Sequence, residues 1–370
     1  MPPATWETNN LMSLPFKPHI ANLPAYKPPA VPPGVDRVID LSSNENPLGP
    51  SPKAVAALQE AADTVNRYPD AGGSALKAAL AQKWDLTPAH IALGNGADEW
   101  ILLLCLALTE PGDQVIMAHG SFISYLLRAT EMATQIVRVP LKNHTHDLEG
   151  FTDAVTDRTR LIFVCNPNNP TGTIVAGAAL DAFLDRVPDR VPVVIDEAYY
   201  EYASADPDYP DTIAHLRAGR ENLILLRSFS KVYGLAGLRI GYMLAHETMI
   251  DYAERARPPF NVNRLAQVAA TAALTDDDHV AKSIQANETA RSYFAHELAA
   301  LDLVPIPTHT NFCAVDVGRP GAEVSGPLLE RGFITTALDG WGVPNHVRFS
   351  FGLPAENEAF LAALKEITGR

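Results

Sequence analysis

The sequence predicts an α/β protein: a large domain on a mostly parallel mixed sheet sandwiched by helices, then a smaller C-terminal α/β domain, with an arm at the N-terminus. Three observations carry this. From residue 38 to about 245, short β-branched runs alternate with helical patterns, the signature of parallel strands joined by crossover helices. After Pro258 and Pro259 the texture changes to longer helical patterns with short strands between them. Before Gly34 the chain is Pro-rich and aperiodic, which suits an extended arm. The expected divisions are an arm over 1–35, packed on the small domain or a partner, a large domain over 36–258 and a small domain over 259–370.

In chain order, the arm carries scattered apolar anchors, Trp6, Leu11, Met12, Leu14 and Phe16, so it needs a surface to lie against. Eight runs then read as strands of the large domain: VIDLS, HIALG, QVIMA, QIVRVP, LIFVCN, VVIDEA, LILLRS and IGYMLA. Several end in polar turns, and ligands bind at the carboxyl ends of such strands. In the small domain, strands are expected near residues 311–317, 333–336 and 347–351, followed by a final helix. The stretch 100–108 spans about nine apolar residues against the roughly twenty needed to cross a bilayer, and reads as a buried helix.

The chain has 370 residues, 47% of them hydrophobic and 19% charged, the composition of a folded globular protein. A chain of this length can bury about three quarters of its surface. Its 29 Lys and Arg against 43 Asp and Glu leave a net charge of −14 with no dense basic run, which argues against nucleic acid as a partner. With no membrane span and no leader pattern, a cytoplasmic location is expected. Cys105, Cys165 and Cys313 are isolated in apolar sequence, as reduced core thiols are.

The densest chemical signal is SFSKVYGLAGLRIGY, directly after the run LILLR. It places Lys231 at a strand end beside Ser228 and Ser230, with Arg239 eight residues on and Gly234, Gly237 and Gly241 letting backbone close in. Such a site can hold a phosphate beside a reactive amine; taken alone, Lys231 could be a surface lysine. VVIDEAYYEY puts Asp196 at the end of an apolar run, with Tyr199 three residues later, and LIFVCNPNNPTG puts Asn166 at the end of the preceding one. A helix N-cap is the alternative for Asp196. GNGADE opens the apolar helix, so the amides of Ala97 and Asp98 would meet an anion at a helix N-terminus. As a dinucleotide fingerprint it fails, because Glu99 stands where the third glycine belongs.

Together these segments resemble the fold-type I pyridoxal-phosphate (PLP) aminotransferases. NENPLGPSP at Asn44, RYPD at Arg67 and GNGADE at Gly94 are most similar to the histidinol-phosphate aminotransferase branch, and the likeness runs over about residues 26–352. The resemblance implies a PLP cofactor, ping-pong transfer of an amino group to a 2-oxo acid such as 2-oxoglutarate, and a homodimer with shared active sites. Lys231 would carry the cofactor as a Schiff base and then move the substrate's α-proton. Asp196 would keep the pyridine nitrogen protonated, and Tyr199 and Asn166 would hydrogen-bond the ring's phenolic oxygen. Ala97, Asp98, Ser228, Ser230 and Arg239 would cup the phosphate, reached by Tyr68 from the neighbouring subunit.

Phe122 aligns with the family's ring-stacking aromatic, with a core Phe as the alternative. Arg348, in NHVRFSFG, aligns with the arginine that grips substrate carboxylates. Tyr26 resembles an N-terminal tyrosine that touches substrate, and Asn46 of the NENPLGP segment is a further substrate candidate. Thr336 stands where the branch usually carries a second arginine, expected to help bind the substrate's phosphate. That departure leaves an unphosphorylated amino acid, aromatic or other, as the alternative donor. A PLP decarboxylase or lyase of the threonine-phosphate decarboxylase kind is a further alternative. His144 and His146 flank a threonine but read as solvated loop, and no metal is expected.

Overall fold

Seven strands form the large sheet, in the order Ile91–Gly94, Gly241–Ala245, Leu223–Ser228, Val193–Asp196, Thr159–Cys165, Gln114–His119 and Gln135–Pro140. The strand Gly241–Ala245 runs antiparallel to both neighbours, and the remaining pairs are parallel. This computed structural model describes residues 15–25, 32–35 and 37–370. Trp6, Leu11, Met12, Leu14 and Tyr26 lie outside the described residues.

The inner strands are buried along nearly their whole length because helices cover both faces. Successive side chains of a strand point to opposite faces. In Thr159–Cys165, Ile162 and Val164 pack with Leu180 and Phe183, while Leu161, Phe163 and Cys165 pack with Ile101, Leu104 and Tyr125. The parallel register aligns the strand ends that carry the motifs: Cys165 pairs with Asp196, and Asp196 with Leu226.

The second sheet is antiparallel, ordered Thr336–Ala337, His346–Ser350, Phe312–Asp316 and Val304–Pro305. Its core is aromatic, with Phe349 and Phe360 ring centroids 4.4 Å apart and Phe294 against Phe349 at 4.7 Å. The helices Asp277–Ala300, Ala322–Glu330 and Pro354–Thr368 enclose it.

Several expectations differ from these elements. VIDLS does not join the large sheet: Ile39–Asp40 pairs in parallel with Phe333–Ile334, because Leu41 is buried in the small-sheet core. The run 333–336 is accordingly split, its first half paired with Ile39–Asp40 and Thr336–Ala337 joining the antiparallel sheet. Helix Arg264–Ala273 follows the expected boundary at residue 258, yet its Ala266, Ala269 and Ala270 pack in the core of the large sheet. The short helix Pro18–Ala21 of the arm lies against helix Ile123–Glu131 rather than the small sheet.

His146 is buried rather than solvated: it stacks on Phe151 at 5.6 Å, and its Nε2 hydrogen-bonds Asn168 Oδ1 at 3.0 Å. Burial pulls its pKa down to about 4. The three cysteines are free and buried, and burial pushes each thiol up to about 12, which keeps them protonated and unreactive. Among the described residues no helix is long and apolar enough to cross a membrane.

Candidate active site

The carboxyl ends of Leu223–Ser228 and Val193–Asp196, the start of helix Ala97–Leu108 and the strand His346–Ser350 surround one cavity of about 440 Å³. The sharp turn after Leu223–Ser228 carries Lys231 into it. Gly234 closes that turn at φ +69°, and a Cβ there would lie 2.2 Å from the carbonyl oxygen of Gly49. Only glycine lets the lysine turn lie against the NENPLGP segment at that point. Lys231 Nζ donates to the Ser43 carbonyl at 3.0 Å and sits 5.5 Å from the centre of the Tyr199 ring. Burial lowers its pKa to about 8, and the nearby Arg348 charge adds to the shift, so a useful fraction is free amine near neutral pH.

Asp196 is buried at the next strand end. Its Oδ2 accepts from Tyr125 Oη at 2.7 Å and its Oδ1 from the Ala198 amide at 3.1 Å. Burial pushes its carboxyl up to about 6, while those two hydrogen bonds oppose the shift. Tyr199 Oη accepts from Asn44 Nδ2 at 2.8 Å, which leaves its own proton free to donate into the cavity. Burial raises the Tyr199 pKa above its ordinary value.

Opposite lies a cup for an anion. Helix Ala97–Leu108 starts at Gly96, held at φ +81°, and a Cβ there would meet the Arg239 guanidinium at 2.7 Å. Ala97, Asp98, Ser228, Ser230 and Arg239 line this end of the cavity. Asp98 is itself tied to Ser124 by a hydrogen bond. The bare start of a helix, two hydroxyls and a guanidinium form a donor set that suits a phosphate.

Arg348 lines the same cavity, buried, with its Nη1 bonded to Asn169 Oδ1 and its Nη2 donating to the Ser42 carbonyl at 2.5 Å and to Thr336 Oγ1 at 3.2 Å. Burial lowers the guanidinium's pKa, yet arginine stays charged in proteins. Phe122 and Trp341 supply aromatic walls.

Four candidates stand elsewhere. Asn166 turns its amide onto the Val175 backbone, accepting from its N at 2.9 Å and donating to its carbonyl at 3.3 Å. Asn169, three residues along the same loop, faces the cavity instead. Asn46 donates to the Val232 carbonyl and to Ser283 Oγ, staking the segment to the lysine turn, and Asn44 is the residue that reaches the site. Thr336 stands behind Arg348 rather than on the cavity wall. Tyr68 lies apart from the cavity of its own chain, 78% exposed and stacked on Phe260 at 4.7 Å.

Sequence reasoning missed Tyr125, Asn44, Asn169 and Trp341. For Tyr125 a signal existed: it follows Phe122 by three residues on one helical pattern, a spacing that puts both on one face.

Residues 36–364 match the family model for aminotransferase class I and II. The histidinol-phosphate aminotransferase of Moorella thermoacetica is 48% identical over 334 residues, covering 90% of this chain and 86% of that protein. That of Caldicellulosiruptor saccharolyticus is 44% identical, covering 90% and 93%. The crystal structure of histidinol-phosphate aminotransferase from Sinorhizobium meliloti, in complex with pyridoxal-5′-phosphate, aligns with a TM-score of 0.89 at 31% identity, over 97% of this chain and 99% of that one. The fold is therefore that of the fold-type I aminotransferases. With a family match from residue 36 to 364 and a relative 48% identical over nine tenths of this chain, the chain belongs to the class I and II aminotransferases.

Proposed function

We propose that this aminotransferase uses pyridoxal 5′-phosphate, takes histidinol phosphate as amino donor and passes the amino group to a 2-oxo acid such as 2-oxoglutarate. The observation that carries this is the convergence of the Lys231 amine, the Asp196 carboxylate, the Arg239 cup and Arg348 on one cavity. The cavity residues fit the cofactor. The cup suits its phosphate, with Gly96 leaving room for the Arg239 guanidinium, and a buried carboxylate stands at the other end. When bound, pyridoxal phosphate supplies a carbonyl that carries the amino group and a ring that accepts electrons from the substrate's α-carbon.

The chain's own groups do the rest. Lys231 Nζ is the base that takes the Cα proton, and its lowered pKa keeps a fraction of it free to do so. With the cofactor bound, Asp196 would hold the ring nitrogen and keep it protonated. Tyr199 would donate its free hydroxyl proton to the ring's phenolic oxygen. Arg348 binds the anionic end of either substrate, the donor's phosphate or the acceptor's carboxylate, in turn.

An unphosphorylated aromatic donor is the second reading, and Thr336 favours it. Among the described residues, the cations lining the cavity are Lys231, Arg239 and Arg348, so Arg348 alone is left for the substrate. A half-reaction screen separates the readings by following the cofactor's absorbance as histidinol phosphate, histidinol, phenylalanine or tyrosine is added. Histidinol phosphate is expected to react at least about tenfold more efficiently than histidinol. A preference for phenylalanine or tyrosine overturns the donor assignment, and release of carbon dioxide overturns amino transfer.

The same proposal makes the chain a cytoplasmic homodimer, with the exposed Tyr68 reaching the partner's cofactor phosphate. Mixing Lys231→Ala and Tyr68→Ala protomers is then expected to restore activity in hybrids that hold one intact site; no recovery after verified exchange would place each site within one chain.

A further inference from the structure

Tyr125, which no motif singled out, lies on helix Ile123–Glu131 and is fully buried. Its hydroxyl donates to Asp196 Oδ2 at 2.7 Å, while the Ala198 amide holds Oδ1. The phenol ring stacks on Phe163, centroids 4.7 Å apart and 7° from parallel, and meets Phe122 edge-on at 5.7 Å. Phe122 and Asp196 both line the cavity, and Tyr125 does not. One side chain behind the wall thus fixes both the acid and the aromatic face. We propose that Tyr125 is a positioning residue that sets the rotation of the Asp196 carboxylate and holds it as an anion toward the cofactor's ring nitrogen. This rests on the pyridoxal-phosphate reading above.

The surroundings of Asp196 make a donor necessary. Burial raises its pKa, and the charges of Asp98 at the helix start and Glu197 next in the chain push the same way. Cys165 on the neighbouring strand and Tyr199 are protonated neighbours, and Lys231 faces Asp196 as the nearby cation. Against burial and the two acids stand the Tyr125 hydroxyl and the Ala198 amide. The phenol is a permanent donor, because burial and the Asp196 charge hold its pKa well above the ordinary value. A hydrogen bond given to a carboxylate favours its ionised form. Deleting the hydroxyl therefore raises the Asp196 pKa, and a protonated Asp196 no longer favours a protonated ring nitrogen. Cofactor affinity should then fail at a higher pH on the acid side.

The test is the dissociation constant of pyridoxal phosphate from the full chain, measured over about pH 5 to 9 for wild type, Tyr125→Phe and Phe163→Leu. Tyr125→Phe is expected to move the acid fall-off up by about one pH unit, so that it binds the cofactor about twofold more weakly at pH 7 and approaches tenfold weaker binding near pH 5. Phe163→Leu removes the stacking partner but keeps the hydroxyl, and should leave the fall-off in place. An unmoved fall-off in Tyr125→Phe, or an equal shift in Phe163→Leu, overturns the inference. A wild-type chain that binds no pyridoxal phosphate at any pH overturns the functional reading itself, an outcome distinct from binding with an unmoved fall-off.

Discussion

Thr336 stands directly across the antiparallel ladder from Arg348, and its hydroxyl accepts a hydrogen bond from the guanidinium at 3.2 Å. With Asn169 and the Ser42 carbonyl also holding Arg348, the cation is braced by neutral groups, free of any salt-bridge partner among the described residues. A charge braced in this way is preorganised for an anionic substrate.

Arg348→Gln is therefore expected to raise the KM for both the amino donor and the 2-oxo acid by about one to two decades, with kcat less affected. Thr336→Val removes one neutral brace and should cost less than about tenfold. Steady-state kinetics with each substrate varied in turn checks this. An Arg348→Gln enzyme with unchanged KM for both substrates would remove Arg348 from the binding site.

The lowered Lys231 pKa has a pH signature. Below about 8 the amine is mostly protonated, and only the free amine attacks a carbonyl. The rate at which pyridoxal phosphate attaches to the cofactor-free chain should rise about tenfold per pH unit below that value and level off above it. Stopped-flow absorbance over a pH series reads this directly. A rate that keeps climbing through pH 10 would mean an ordinary, unshifted lysine.

Behind the site, Arg227 and Glu197 form a buried ion pair, with Nη2 and Nε 2.8 and 2.9 Å from Glu197 Oε2. The Trp84 and Tyr200 rings flank the guanidinium at 4.1 and 3.5 Å. The pair clamps two adjacent strand ends, one residue after Asp196 and one before Ser228. Glu197→Gln leaves Arg227 buried without its ion-pair partner, which typically costs about 3–5 kcal/mol. Urea unfolding is expected to show a loss of that order, and a loss below about 1 kcal/mol would contradict the clamp.

Much of this arrangement was legible in the sequence because strand order and local motif coincide. The apolar runs ending at Asp196 and Ser228 mark sheet strands, and the register brings their ends together. What local pattern does not carry is direction within a loop. Asn44 and Asn46 are two residues apart, a spacing that would share a face in extended backbone, but Asn44 sits at φ +55° and the two reach different partners, Tyr199 and Ser283. Asn166 and Asn169 differ likewise, one folded onto Val175 and the other on Arg348. Partners distant in the chain were invisible for the same reason: nothing near Ile39 announces its pairing with Phe333, and nothing near Tyr125 announces Asp196, 71 residues away.

The most direct measurement is borohydride reduction of the holoenzyme followed by peptide mapping. The cofactor's mass should appear on Lys231 in the SFSK peptide, and Lys231→Ala should stay folded with no reducible attachment. A label on any other lysine, or attachment that survives Lys231→Ala, would contradict the assignment of Lys231 as the cofactor-bearing base.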